Sequence, residues 1–145
     1  MVNCLGHMTE ATAQMKAERF IKRLEATVHQ SNLKSIIVIL SLMRDTWERR
    51  TAIVSTLYFI GKGDVADAFK IAEILLKDDQ DLVHKGMGWA LRYAGDKDRQ
   101  KLLSFLEKHA ATMPRTALRY AIEHLDKKKR DHYLSMKKVA SLANG

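Results

Sequence analysis

Apolar positions recur with helical spacing along most of this chain. Val65, Phe69, Ala72 and Leu76 follow Asp64 at three- and four-residue steps, which places them on one face of a helix. Asp67 falls in its first turn, where a negative charge complements the helix dipole. Asp79 and Asp81 precede LVHKGMGWALRYAG, and Gly95 is the residue expected to end that helix in a left-handed conformation. Asp96 then opens KDRQKLLSFLEKH, whose apolar side is Leu102, Leu103, Phe105 and Leu106. Thr112 and Pro114 introduce RTALRYAIEHL, since a helix accommodates proline in its first turn. Asp126 starts a last helix that runs to about Leu142.

These helices fall into pairs. Residues 47–77, 79–109 and 112–142 make three helix–turn–helix units of about 31 residues with very short linkers. In an all-helical chain that period predicts a solenoid, a right-handed superhelical array of antiparallel pairs in which each unit buries its apolar face against its neighbours. A compact bundle uses the same helices in a different stacking, and composition does not separate the two. The first third is less regular. Residues 9–30 form an amphipathic helix on Met15, Phe20, Ile21, Leu24 and Val28, and a second helix restarts at Ser31 or Asn32. Its β-branched run, Ile36 to Ile39, reads as a buried helix because nothing else in the chain offers a sheet to join.

Composition agrees with one all-α domain over 1–145, divided into N-terminal helices at 1–44 and a repeat part at 45–142. The chain has 145 residues, 46% of them hydrophobic, with a single proline. Disorder and an all-β fold are thereby disfavoured. The lone Cys4 has no internal disulfide partner, which points to a cytoplasmic protein. The longest apolar stretch, Ser35 to Met43, is about half of the ~20 residues that span a bilayer. The opening MVNCLGHMTE has neither a basic region nor a continuous apolar segment of a secretory signal, and Met8 equally suits the natural start. A monomer is expected.

The formal net charge is +8, and the excess is uneven: residues 115–145 carry 8 basic and 3 acidic side chains. A domain this basic binds polyanions by releasing counterions, so nucleic acid is the first partner to consider. The first helix of each unit supplies cations that a solenoid would align: Arg49 and Arg50, then Lys85 and Arg92, then Arg115 and Arg119. Trp47, Trp89, Tyr93 and Tyr120 are interleaved with them, mixing phosphate anchors with π-faces. At helical spacing Trp89 and Tyr120 also suit a core.

WERRTAIVSTLYFIGKGDVADAFKIAEIL, DLVHKGMGWALRYAG and FLEKHAATMPRTALRYAIEHL together resemble the AlkD-like family of DNA alkylation repair enzymes, over roughly residues 44–138. The resemblance implies a curved stack of HEAT-like (ARM-like) repeats and a DNA glycosylase that removes cationic N3- or N7-alkylpurines from double-stranded DNA without metal or cofactor. It assigns Arg50, in the WxxR-type motif, to the DNA backbone near the lesion. It assigns Trp89, in Gly88-Trp89-Ala90-Leu91-Arg92, to the lesion itself, with Arg92 a further backbone contact.

One part of the family pattern is missing. Members carry a WDxVD-type segment about 35 residues before the WxxR motif, and its last aspartate is the catalytic carboxylate. No such segment occurs in residues 1–46, where Asp45 is the only aspartate. Asp45 stands where a helix cap is needed, just ahead of Trp47. The catalytic residue is therefore unassigned, and the reading is a truncated or catalytically impaired member that retains DNA binding. The competing class is a non-catalytic helical scaffold that binds protein or nucleic acid. The six histidines show no HExxH or paired-ligand spacing, Gly61-Lys62-Gly63 is a helix-ending turn without the P-loop pattern, and Cys4 has no base partner in sequence.

Overall fold

A computed structural model describes residues 15, 16, 18–20, 22, 23 and 30–143, with side chains at those N-terminal positions and at 32–136. The seven N-terminal positions are helical. The rest of the 9–30 segment lies outside the described residues, as do Cys4 and Met8. From residue 30 the elements are α1 (Gln30–Ser41), α2 (Thr46–Gly61), α3 (Ala66–Ile74), α4 (Asp81–Lys97), α5 (Arg99–His109), α6 (Arg115–Ala121) and α7 (Lys127–Ala143). A single 3-10 turn, Leu75–Lys77, extends α3. No strand occurs among the described residues, and the fold is all-α as expected.

The local signals act much as the sequence reading has them. Asp45 Oδ1 accepts from the Trp47 and Glu48 amides at 2.7 and 3.3 Å, which satisfies two of the orphan donors at the start of α2. Gly63 adopts φ 87° and closes the Gly61-Lys62-Gly63 turn, a conformation that glycine reaches without Cβ strain. Ile36 to Ile39 is helical, and Leu33 and Ile37 of the same helix are buried.

Four details differ. The buried stripe of α3 is Ala68, Ile71, Ala72 and Leu75, together with Val65, while Phe69 and Leu76 are only half-buried. The cap of α4 is Gln80, not Asp79, because the Asp78 carboxylate turns back to accept from the Gln80 amide at 2.9 Å. Gly95 does not end α4. It is buried inside the helix, which continues to Lys97, and Asp98 rather than Asp96 caps α5 by accepting from the Lys101 amide at 3.0 Å. Finally, α6 stops at Ala121, before the expected IEHL. Glu123 and His124 leave the helix to pair with Arg92 and Asp96, the latter at 2.9 Å.

Packing sorts the helices into two layers. The most extensive interfaces join α4 to α6, α4 to α2, and α2 to α1, so the first helices of the three pairs lie side by side. Their partners form the second layer. There Phe69 of α3 meets Phe105 of α5 with ring centroids 5.6 Å apart, and Tyr133 of α7 donates to Glu107 of α5 at 2.9 Å. One apolar cluster runs through the molecule between the layers, from Leu33 and Ile53 through Met87 and Leu91 to Leu118 and Ile122. Lys34 ties α1 to the α2–α3 turn and α3, reaching Asp64 at 2.6 Å and Asp67 at 2.9 Å.

Helix α4 touches both layers, and its glycines set the spacing. A methyl group at Gly88 would stand 2.4 Å from Tyr120 Cβ and 2.7 Å from the Ala117 carbonyl oxygen of α6. One at Gly95 would stand 2.2 Å from the end of the Leu102 side chain of α5. The first neighbour includes backbone and the second is a side-chain tip that can turn. Gly88→Ala should therefore lower unfolding free energy by about 1–3 kcal/mol, and Gly95→Ala by less. Gly61→Ala, which meets nothing within 4 Å, should be neutral or slightly stabilising. Denaturant midpoints of the three variants check this order.

Candidate nucleic-acid interface

Each first helix carries the cations that the sequence assigns to DNA, and the layer of α2, α4 and α6 brings the helices into contact. The side chains then part company. Arg50 folds along α4: its Cγ lies 3.8 Å from where a Gly86 Cβ would sit, and its guanidinium donates to the Leu82 carbonyl. Burial lowers the Arg50 pKa from its ordinary value, yet an arginine remains charged. Lys85 lies close enough to feel the charge of Arg50 and the Tyr120 hydroxyl. Trp89 follows Lys85 by one turn on the same face of α4 and is half-buried, as is Tyr120. Arg119 is exposed on α6. Arg50 thus lies along the start of α4, and Tyr120 packs against the same helix at Gly88.

Two of the expected contacts are drawn elsewhere. Arg92 is 4% exposed and forms an ion pair with Glu123, just beyond α6, with its guanidinium 5.7 Å from the Tyr93 ring. Arg115 is half-buried and donates to the Leu134 carbonyl of α7 at 3.0 Å. Both hold helices together in this structure. Arg49 does the same, since its Nε meets Asp78 at 2.5 Å with the pair largely buried, and the hydrogen bond to Asp78 raises its pKa. Trp47, by contrast, is 62% exposed at the start of α2.

Sequence reasoning passed over the acidic partners. Asp81 lies 2.7 Å from Lys85 and accepts from the Thr116 hydroxyl of α6 at 3.1 Å. The Lys85 ammonium, and secondarily Thr116, hold the Asp81 carboxyl below the usual carboxylate range. Lys85 is raised in turn, chiefly by Asp81. The Asp81–Lys85 pairing was visible as an i,i+4 spacing of opposite charges. The Arg49–Asp78 and Arg92–Glu123 pairs join residues 29 and 31 positions apart, and no local pattern announces them.

The arrangement divides structural cations from surface ones, and stability should reveal the division. Arg49→Met strands the buried Asp78 carboxylate and should cost about 2–4 kcal/mol, below the loss for a fully buried pair because Arg49 keeps some solvent contact. Arg119→Met should stay within about 0.5 kcal/mol of the parent. Urea denaturation of the two variants compares them directly.

Among the described residues no group of three or more His, Cys, Asp or Glu side chains gathers in a metal-binding arrangement. Nor is any described helix long and apolar enough to cross a membrane. No curated protein and no solved structure matches the chain. The family model described as DNA alkylation repair enzyme does match, over residues 8–125. That span begins well before the motifs at Trp47 and Gly88, takes in α1 through α6, and ends just ahead of α7. A match over most of the chain, on an all-α fold of paired helices, establishes that the chain belongs to the DNA alkylation repair enzyme family.

Proposed function

We propose that this protein binds duplex DNA along the layer of α2, α4 and α6, centred on Trp89, and that on its own it excises alkylated purines weakly or not at all. The observation that supports the reading is the side-by-side packing of α2, α4 and α6, a layer that carries Arg50, Lys85 and the exposed Arg119 together with the half-buried Trp89 and Tyr120. Phosphates are held by the exposed Arg119 and by Lys85, which exchanges its Asp81 partner for the backbone. Arg50, half-buried under the Leu82 carbonyl, contributes positive field more than a free side chain. Arg92 and Arg115 act indirectly, by fixing α4 and α6 in place.

The chemical half of the proposal rests on a carboxylate. An N3- or N7-alkylpurine is already cationic and leaves readily, so an enzyme acting on it must chiefly stabilise the oxocarbenium character left on the sugar. In this chain Asp45 is the only aspartate before Asp64. Its Oδ1 is committed to the amides that begin α2. Loss of one such electrostatic group commonly costs about 10²–10³ in rate. A second reading, a scaffold that docks protein, is favoured by the exposed apolar corner of Ile39, Leu42, Met43 and Trp47.

Duplex affinity at two salt concentrations, with base release from methylated DNA, tests these readings together. Binding should weaken steeply with salt, and Arg119→Ala should reduce the slope by about one unit. Asp81→Asn, which frees Lys85, should tighten binding by about two- to fivefold at low salt. Methylated base should be released slowly or not at all. Absence of binding at low salt would favour the scaffold, and robust release abolished by both Trp89→Ala and Arg50→Ala would overturn the catalytic half, with Glu48 or Asp45 then taking the carboxylate's role.

A further inference from the structure

The second layer carries a basic groove that the family reading does not use. It lies between α5 and α7, is open to solvent, and encloses about 890 Å³. Gln100, Ser104 and Lys108 line one wall, and Lys128, Lys129 and His132 line the other. Ser104 and Lys108 also border a smaller hollow of about 230 Å³ between α3 and α5. The two depressions therefore adjoin across α5.

Its charges are unequally committed. Glu107 accepts the Tyr133 hydroxyl at 2.9 Å, and Asp126 accepts the Lys129 amide at 3.0 Å and lies 3.4 Å from its ammonium. Lys108 and Lys128 are exposed, and neither has an ion-pair partner among the described residues. Burial and the Glu107 contact push the Tyr133 hydroxyl up to about 12, so it stays protonated and keeps Glu107 engaged. Two unpaired ammonium groups line the groove beside the polar side chains of Gln100, Ser104 and His132, which suits a row of phosphates. Lysines also outnumber carboxylates in the lining, Lys108, Lys128 and Lys129 against Glu107 and Asp126.

We propose that the α5–α7 groove binds the phosphate backbone of a second DNA segment, so that one molecule holds two duplex segments on opposite layers. The proposal rests on the DNA-binding reading of the α2–α4–α6 layer. The second site engages fewer free cations and binds more weakly, by salt-sensitive contacts without base readout. It takes a neighbouring stretch of the same DNA or a separate duplex.

The test uses the full chain and two short duplexes, one immobilised and one fluorescent. Protein should bridge them at low salt, retaining the fluorescent duplex on the surface. Lys108→Glu combined with Lys128→Glu should lower bridging by about tenfold or more while leaving binding to a single duplex within about twofold of the parent. Circular dichroism confirms that the variant folds. Bridging unaffected by the double change, or a parent that binds one duplex without bridging, would overturn this inference and leave the DNA-binding reading standing. Absence of any duplex binding at low salt would overturn both.

Discussion

Helix α4 has to approach α6 and α5 at once, more closely than a side chain at the contact points allows. Gly88 removes the Cβ that would collide with Ala117 and Tyr120, and Gly95 removes the one that would collide with Leu102. Gly86 performs a milder version of this service toward Ile53 of α2, where an added methyl would sit at 3.1 Å. The rest of the layer follows from these approaches. With α4 between them, α2 and α6 are carried into one surface, Tyr120 is laid over Gly88, and Trp89 is kept half-buried at its edge. The glycine of the Gly-Trp-x-Leu-Arg motif is thus a packing requirement, and the tryptophan beside it inherits its position from that packing.

The layer's cations are less available than their number suggests. Arg49 and Arg92 are absorbed by Asp78 and Glu123 in contacts that join successive pairs of helices. Arg115 ties α6 to α7, and Lys85 is held in check by Asp81. Arg49, Arg92 and Arg115 therefore serve to join helices rather than to present charge. Arg119 on one layer and Lys108 and Lys128 on the other are among the exposed cations that remain for a polyanion. Formal charge suggests a class of partner, but only side-chain geometry shows which cations are already engaged inside the fold.

Helix boundaries and pairing were legible because they depend on short-range physics. Asp45 ahead of Trp47, the Gly61-Lys62-Gly63 turn and the apolar spacing after Asp64 each signal a local event, and the structure contains each of them in close to the expected place. Gly95 misled for a related reason: glycine in sequence does not reveal whether freedom of φ or absence of a side chain is being used, and here it is the latter. The Asp98 cap follows, since a helix that continues through Gly95 must hand over later. The Arg92–Glu123 ion pair, 31 residues apart, and the Arg115 bond to the Leu134 carbonyl had no local signature, so Arg92 and Arg115 read as surface cations. Family resemblance was legible from Trp47 onward because its motifs are compact, whereas the family match reaches back to residue 8 through a stretch without motif residues to quote.

The central claim is that duplex DNA lies against the layer built around α4. Amide chemical-shift mapping of the isotope-labelled chain with substoichiometric short duplex, at low salt, tests it most directly. The account predicts that the first resonances to move belong to residues around Arg50 in α2, Lys85 and Trp89 in α4 and Arg119 in α6, with the Trp89 indole and the Arg119 side chain among them. First shifts confined to α3, α5 and α7, with Trp89 and Arg119 unmoved, would contradict it.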